Sequence, residues 1–210
     1  MAAPSKSRKT EAGQGPVSVE RIETAAIQLF GQKTYPVVGM RDISDAVGIL
    51  PGSLYVHIRK KEDILLRIIE GGIQNYLDAI EAAIKPGTNG PDRMRRAIVA
   101  HMCVLGDTLL QTRVAFHQWT YLSPPLQEQV VELRRQYEEI FTRILRTGIR
   151  KKEFRRVKHH RIAVLAIIGM LNSATEWFSP DGELSPEAVG HLLADSALEG
   201  LARQPSAPAS

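Results

Sequence analysis

Ser53, Tyr55 and His57 occupy alternate positions of one short stretch, Pro51-Gly52-Ser53-Leu54-Tyr55-Val56-His57, with Arg41 upstream and Lys60 and Lys61 just downstream. Hydroxyl, imidazole, guanidinium and ammonium groups are the side chains that grip phosphate oxygens, so this set is suited to holding a polyanion. A helix opening at Pro51 would add the N–H groups of its first turn, which favour an anion. The other reactive side chains form no catalytic or metal-binding pattern. His101 and the pair His159-His160 lack a Cys or carboxylate at ligand spacing, and no HExxH, GxSxG or glycine-rich phosphate loop occurs. The single cysteine, Cys103, falls on an apolar helical face, where a thiol is buried rather than reactive. These features imply a non-enzyme with neither cofactor nor metal.

The elements that must position the polar set are short helices. Met40 to Val47 reads as one, with Gly39 as its cap and Asp42 in its first turn, Gly48 supplies a turn, and the next helix begins at Pro51. Such a helix-turn-helix presses the N-terminal end of its second helix against base edges in the DNA major groove. Arg41, Leu50, Pro51, Gly52, Ser53, Tyr55, His57, Lys60 and Lys61 are therefore the candidate DNA contacts. Upstream, Ser18 is placed to cap a first helix and Val17 to pack on Ile22 as a hydrophobic staple. Ile22, Ala25, Ala26, Leu29 and Phe30 form that helix's inner face until Tyr35-Pro36 ends it. Downstream, apolar positions from Ile64 to Ile84 predict a helix of about 22 residues, some 33 Å long, which is enough to join two domains.

After the break at Pro86-Gly87-Thr88-Asn89-Gly90-Pro91, the periodicity stays helical. Residues 92–110 form one amphipathic segment, residues 112–121 a shorter aromatic one, and Ser123-Pro124-Pro125 opens a long helix to about Arg150. Residues 160–178 are apolar on nearly all sides and are expected to be buried on nearly all sides. Ser185-Pro186-Glu187 caps a last helix whose face is Val189, Leu192, Leu193, Ala197 and Leu201. The expected fold is all-α with about nine helices. A disordered basic arm (1–16) precedes a helix-turn-helix domain (17–63) and a helical ligand-binding and dimerisation domain (64–204), with a disordered tail (205–210). Met102, Phe116, Trp119, Tyr121, Met170, Asn172, Trp177 and Phe178 are the candidate lining of a pocket among the middle helices. The apolar run 162–171, with Ala194, Ala197 and Gly200 permitting close approach, predicts a homodimer through the last two helices.

Composition sets the outer bounds. The chain has 210 residues and is 43% hydrophobic, enough for a proper core. Its longest apolar run is too short for a bilayer and its N-terminus lacks a signal-peptide core, so a soluble cytoplasmic protein without membrane partners is expected. The net charge of +4 is unevenly laid out. Residues 143–161 hold nine Lys/Arg against Glu153, a local +8 that leaves the rest of the chain at −4. Bulk charge is thus no argument for DNA binding, because most of it lies far from the helix-turn-helix.

The stretches Met40-Arg41-Asp42-Ile43-Ser44, Gly48-Ile49-Leu50-Pro51-Gly52-Ser53-Leu54-Tyr55-Val56-His57 and Lys61-Glu62-Asp63-Ile64-Leu65 strongly resemble the TetR family of transcriptional regulators. The resemblance implies a three-helix head, a six-helix body, and a homodimeric repressor that leaves a palindromic operator when a small molecule enters the body. Three positions depart from the family's habit: Leu50 stands where a capping Ser or Thr is usual, Ile58 replaces a Phe, and Lys60 replaces a Ser or Asn. Residues 176–185 and Gly48-Ile49-Leu50-Pro51-Gly52-Ser53-Leu54-Tyr55 are similar to members regulating fatty-acid, sterol and branched-chain breakdown, several of which sense acyl-CoA thioesters. That gives Arg143, Arg146 or Arg150 a possible use on CoA phosphates; a solvated charge run is the alternative. Two other functions remain open: a ligand-blind architectural DNA binder, and a drug-efflux regulator sensing a free hydrophobic compound.

Overall fold

The computed structural model describes residues 18–201, so Val17 of the expected staple, the basic arm and the tail lie outside the described residues. Among the described residues the chain forms nine α-helices and one 3-10 turn, with no strand. α1 (Val19–Lys33) starts where Ser18 Oγ accepts the Arg21 N–H at 3.4 Å and buries Ile22, Ala26 and Phe30. α2 (Met40–Val47) starts with the Gly39 N–H donating to Asp42 Oδ2 at 2.7 Å. It ends at Gly48, whose φ of 78° turns the chain into the left-handed region that glycine adopts without strain. α3 (Pro51–His57) follows and anchors itself by Leu54, which is fully buried.

α4 (Lys61–Ile84) has 24 residues and begins with the Lys60 N–H donating to Asp63 Oδ2 at 3.0 Å. It therefore starts inside the stretch that the sequence assigns to the head. It buries Ile64, Leu65, Ile68 and Ile69 at one end and Ile73, Tyr76, Ile80 and Ile84 along the body. At its midpoint Gly72 lies so close to α6 that a Cβ there would meet the Ala115 Cβ at 3.2 Å.

The body comprises α5 (Gly90–Asp107), α6 (Leu109–His117), the 3-10 turn Trp119–Tyr121, α7 (Pro124–Arg150), α8 (His160–Trp177) and α9 (Pro186–Leu201). The α5–α6 joint falls at Thr108, earlier than the periodicity suggests, because Thr108 leaves helical geometry while its Oγ1 bonds back to the Val104 carbonyl at 2.7 Å. Ser185 Oγ accepts the Ala188 N–H at 3.1 Å and so caps α9 as expected. The expectation for residues 160–178 needs correction. α8 buries Val164, Ile167, Ile168, Leu171 and Ala174, but Ile162 and Leu165 are 64% and 40% exposed. One apolar face of this helix is left uncovered by its own chain. No helix among the described residues is long and apolar enough to cross a membrane.

Candidate nucleic-acid interface and effector cavity

α3 divides cleanly between two environments. Leu54 and, just beyond the helix, Ile58 are buried among the head's apolar residues, whereas Leu50, Tyr55 and Val56 are 76%, 53% and 81% exposed. Pro51, Gly52, Ser53 and His57 are exposed as well, as are Arg41 at the start of α2 and Lys60 before α4. The outward face of this small helix thus presents a phenol, an imidazole, a hydroxyl and two apolar side chains at once. A Cβ added at Gly52 would meet nothing within 4 Å, so the protein itself does not require glycine there.

Two details of the head differ from expectation. The first turn of α3 is not a free N–H cradle: Pro51 has no N–H, and the Ser53 and Leu54 N–H groups both donate to the Leu50 carbonyl, at 2.9 and 3.3 Å. Leu50 therefore caps with its backbone what its side chain cannot. Lys61 is not a free point charge either. Its Nζ donates to the carbonyls of Tyr35 and Val38 at 2.9 and 2.7 Å and lies 4.2 Å from the centre of the Tyr35 ring. Burial holds its pKa below the ordinary lysine value. Lys61 fastens the α1–α2 loop to α4, so two of its three donors are occupied.

In the body, a cavity of about 250 Å³ lies between α4, α6, α7 and α8. Ile73, Phe116, Leu165 and Ile168 make it apolar, while Tyr76, Tyr137, Arg134 and Asn172 bring polar atoms. Beside it runs a buried polar cluster. Tyr76 and Thr112 hydroxyls meet at 3.0 Å, and the Tyr137 hydroxyl meets His101 Nδ1 at 2.8 Å. Desolvation pushes His101 down to about 3 and both tyrosines above their usual range, so this cluster is uncharged at neutral pH.

The cavity gathers only part of the residues expected to line it. Phe116 and Asn172 are on its wall, and Trp119 lies behind it, under the Arg134 guanidinium at 5.1 Å. Met102 is fully buried, with its Cβ against Gly190 of α9. Met170 faces a groove between α8 and α9, and Phe178, beyond the end of α8, packs near Gly106. Tyr121 is stacked on Tyr35 with ring centres 5.9 Å apart, and Trp177 is 53% exposed near the uncovered face of α8. Arg143 pairs with Glu81 at 2.5 Å in a groove that also holds Asp78, Glu132 and Glu139, and Arg146 is exposed; neither lines the cavity. Sequence reasoning missed Arg134, Tyr76 and Tyr137. Cys103 is half-buried, its thiol raised by desolvation and by Glu187 and Asp107, which leaves it protonated and unreactive. Among the described residues no group of His, Cys, Asp and Glu could hold a metal ion.

A compact seam joins head and body. The Gln118 side chain accepts the Tyr35 N–H at 2.7 Å and donates to the Phe30 carbonyl at 2.9 Å, tying the end of α1 to the turn after α6. Glu62 accepts the Ser123 N–H at 2.6 Å, and Gln111 donates to the Ile68 carbonyl at 3.3 Å. Trp119, next to Gln118, is in contact with both the cavity's arginine and this seam.

A three-helix head with an outward recognition helix, bonded to a helical body that encloses a cavity, defines a helix-turn-helix transcriptional regulator. The chain belongs to the TetR family: residues 22–68 match the family described as bacterial regulatory proteins, tetR family, and residues 87–201 match the tetracyclin repressor-like C-terminal domain. It is a regulator and not an enzyme. It is similar to the transcriptional repressor KstR2 of Rhodococcus jostii (strain RHA1), at 25% identity over 186 residues that cover 84% of this chain and 87% of that protein. The crystal structure of the TetR family regulator PfmR from Thermus thermophilus matches with a TM-score of 0.80 and 31% identity, covering 87% of this chain and 100% of that one. AibR, in a crystal structure with isovaleryl coenzyme A and operator DNA, shares the fold at a TM-score of 0.76 and 19% identity, over 87% of this chain and 97% of that one.

Proposed function

We propose that the protein is a homodimeric repressor that binds a palindromic operator through α3 and is released by a small acyl effector held in the body, the acyl-CoA class being the first to test. The observation that carries the DNA reading is the exposure of Leu50, Tyr55 and Val56 around a fully buried Leu54. Tyr55, His57 and Ser53 meet phosphate or base edges in the major groove, Arg41 and Lys60 add phosphate contacts, and Lys61 has one donor left for the same purpose. Gly52, with open space around it, lets the DNA backbone come close.

Dimerisation through α8 and α9 is supported by the uncovered Ile162 and Leu192 and by Gly200, where an added Cβ would meet nothing within 4 Å. Apolar surface exposed beside a glycine with open space around it suits close helix–helix contact with a second copy. The effector reading is supported by the cavity and by its connection, through Trp119 and Gln118, to the end of α1. AibR binds isovaleryl coenzyme A, which makes acyl thioesters the natural first panel. A cavity of about 250 Å³ holds an acyl group rather than a whole coenzyme, and the sequence-based role for Arg143 and Arg146 on CoA phosphates gains no support from it. Head residues 17–63 and body residues 64–204 then act as reader and sensor, joined by α4.

Release requires only that the effector prefer a form whose heads do not fit the operator. A preference of about 100-fold weakens DNA binding by roughly 2.7 kcal/mol. Footprinting of the upstream region of the protein's own gene, with and without an acyl-CoA panel, tests the proposal. Protection lifted by a thioester supports it; protection unaffected by every acyl compound would leave a ligand-blind DNA binder, and protection lifted only by unrelated hydrophobic drugs would favour an efflux regulator.

A further inference from the structure

The body cavity contains a charge that the protein does not neutralise. Arg134, on α7, is half-buried, and its Nη1 is buried without a hydrogen-bond partner. Among the described residues no carboxylate forms an ion pair with it. Glu138, one turn further on and on the same wall, is already paired with Arg161 at 3.2 Å. Across the cavity, the Asn172 side-chain oxygen is also buried without a partner. Burial lowers the pKa of Arg134, which remains a cation at neutral pH. Buried polar atoms are nearly always satisfied within the protein, and an unpaired buried charge is the costliest exception. The two residues that carry these unpartnered atoms both line one cavity whose other walls are Ile73, Phe116, Leu165 and Ile168.

We infer that the cavity binds the carboxyl end of a short acyl ligand, with Arg134 donating to an acyl oxygen and the Asn172 amide meeting the second polar atom of the head group. The hydrocarbon lies against Phe116, Ile73, Leu165 and Ile168. The Asn172 amide presents either its oxygen or its nitrogen by turning over, so it serves a carboxylate oxygen as readily as a donor. Arginine suits this role because its planar fork pairs two-pronged with a carboxyl group. The cavity of about 250 Å³ is of a size for a short acyl chain, and a six-carbon acid serves as the probe. A free carboxylate and a CoA thioester offer the same acyl oxygen, and the experiment below separates them. This inference rests on the effector reading above and sharpens it from an acyl class to a defined contact.

The test titrates the full chain with hexanoate, hexanoyl-CoA and 1-hexanol by calorimetry, and follows operator release by fluorescence anisotropy. The expected result is that hexanoate or hexanoyl-CoA binds at least tenfold more tightly than 1-hexanol, the tighter of the two naming the source. Arg134→Gln should erase that preference without lowering the thermal midpoint, since it removes an unpaired charge. Asn172→Asp, which places a carboxylate opposite Arg134, should raise the midpoint and weaken hexanoate binding at least tenfold. Unchanged hexanoate and hexanoyl-CoA affinity in both variants overturns the inference. Equal binding and equal operator release by acid, thioester and alcohol in the wild type overturns the carboxyl contact but leaves an effector-released repressor. Operator release by none of the three overturns both.

Discussion

In the head, the candidate groups stand outside and the glycine among them has room to spare; in the body, the cavity's groups face inward and Gly106 and Gly148 are crowded. Gly52 has no neighbour that a methyl group would touch, whereas a Cβ at Gly148 would overlap the Phe154 ring and one at Gly106 would overlap Pro186. Tyr55 is 53% exposed on a seven-residue helix, while Tyr137 is buried and bonded to His101. Selectivity therefore has a separate source in each half. A surface that reads DNA must be finished before the partner arrives, so its side chains are held by one internal anchor, Leu54. In the body the bonding is left incomplete, at Arg134 Nη1 and the Asn172 side-chain oxygen.

The contrast can be broken at four points. The largest effect is expected for Tyr55→Ala: operator affinity falls at least 100-fold, about 2.7 kcal/mol, with dimerisation unchanged by ultracentrifugation. Retained affinity at physiological salt would remove Tyr55 from the interface. Next, Gly148→Ala and Gly52→Ala should act oppositely. Overpacking against Phe154 costs about 1–3 kcal/mol in urea unfolding, while alanine in α3 leaves stability equal or raises it by up to about 1 kcal/mol and yet weakens operator binding. Equal stability losses in the two variants would dissolve the distinction between open and crowded glycines.

Third, the buried cluster beside the cavity should respond to acid. His101 is held at about 3 in the folded protein against 6.5 for the free side chain, so below pH 6.5 the unfolded chain takes up a proton that the folded one refuses. Stability is fully present above that pH and is lost as the pH falls towards 3, by about 1.4 kcal/mol per pH unit from this group. Urea midpoints at pH 7.5 and 5.5 measure it, and His101→Gln, which cannot titrate, should flatten the slope. An unaltered slope in that variant would assign the acid sensitivity elsewhere. The smallest effect is expected at the seam. Gln118→Ala should leave effector affinity within twofold while reducing the effector's influence on operator binding by about 0.5–2 kcal/mol. If the full influence survives, the signal passes by α4 alone.

Much of the fold is legible in the sequence because its signals are local. Ser18, Asp42, Gly48 and Ser185 each act on a backbone group within four residues, so spacing reveals them. The outward set on α3 is legible for the same reason, since on one seven-residue helix Tyr55 and Val56 are turned about 100° and 200° away from Leu54. The cavity is not. Arg134 is one of two adjacent arginines followed by Tyr137, Glu138 and Glu139, and nothing in that string tells which arginine turns inward. Lys61 looks like a phosphate contact until the Tyr35 and Val38 carbonyls, 26 and 23 residues away, are seen to claim it. Met102 and Phe178 are as apolar as Phe116 in the string, but the position of α9 decides that Met102 packs on Gly190 instead. The apolar character of α8 is plain in sequence; whether its own chain or another covers each side depends on tertiary placement.

The close approach of Gly72 to Ala115 has a mechanical consequence. Gly71 and Gly72 are adjacent at the middle of α4, and each weakens a helix by about 1 kcal/mol relative to alanine. The strut between reader and sensor is therefore softest at the height where α6 crosses it. A beam with such a compliant section yields to a sideways push there before it yields to torque or compression from its far end. Replacing both glycines would stiffen that section and crowd the crossing, leaving a protein with normal contacts at each end and little bending between them.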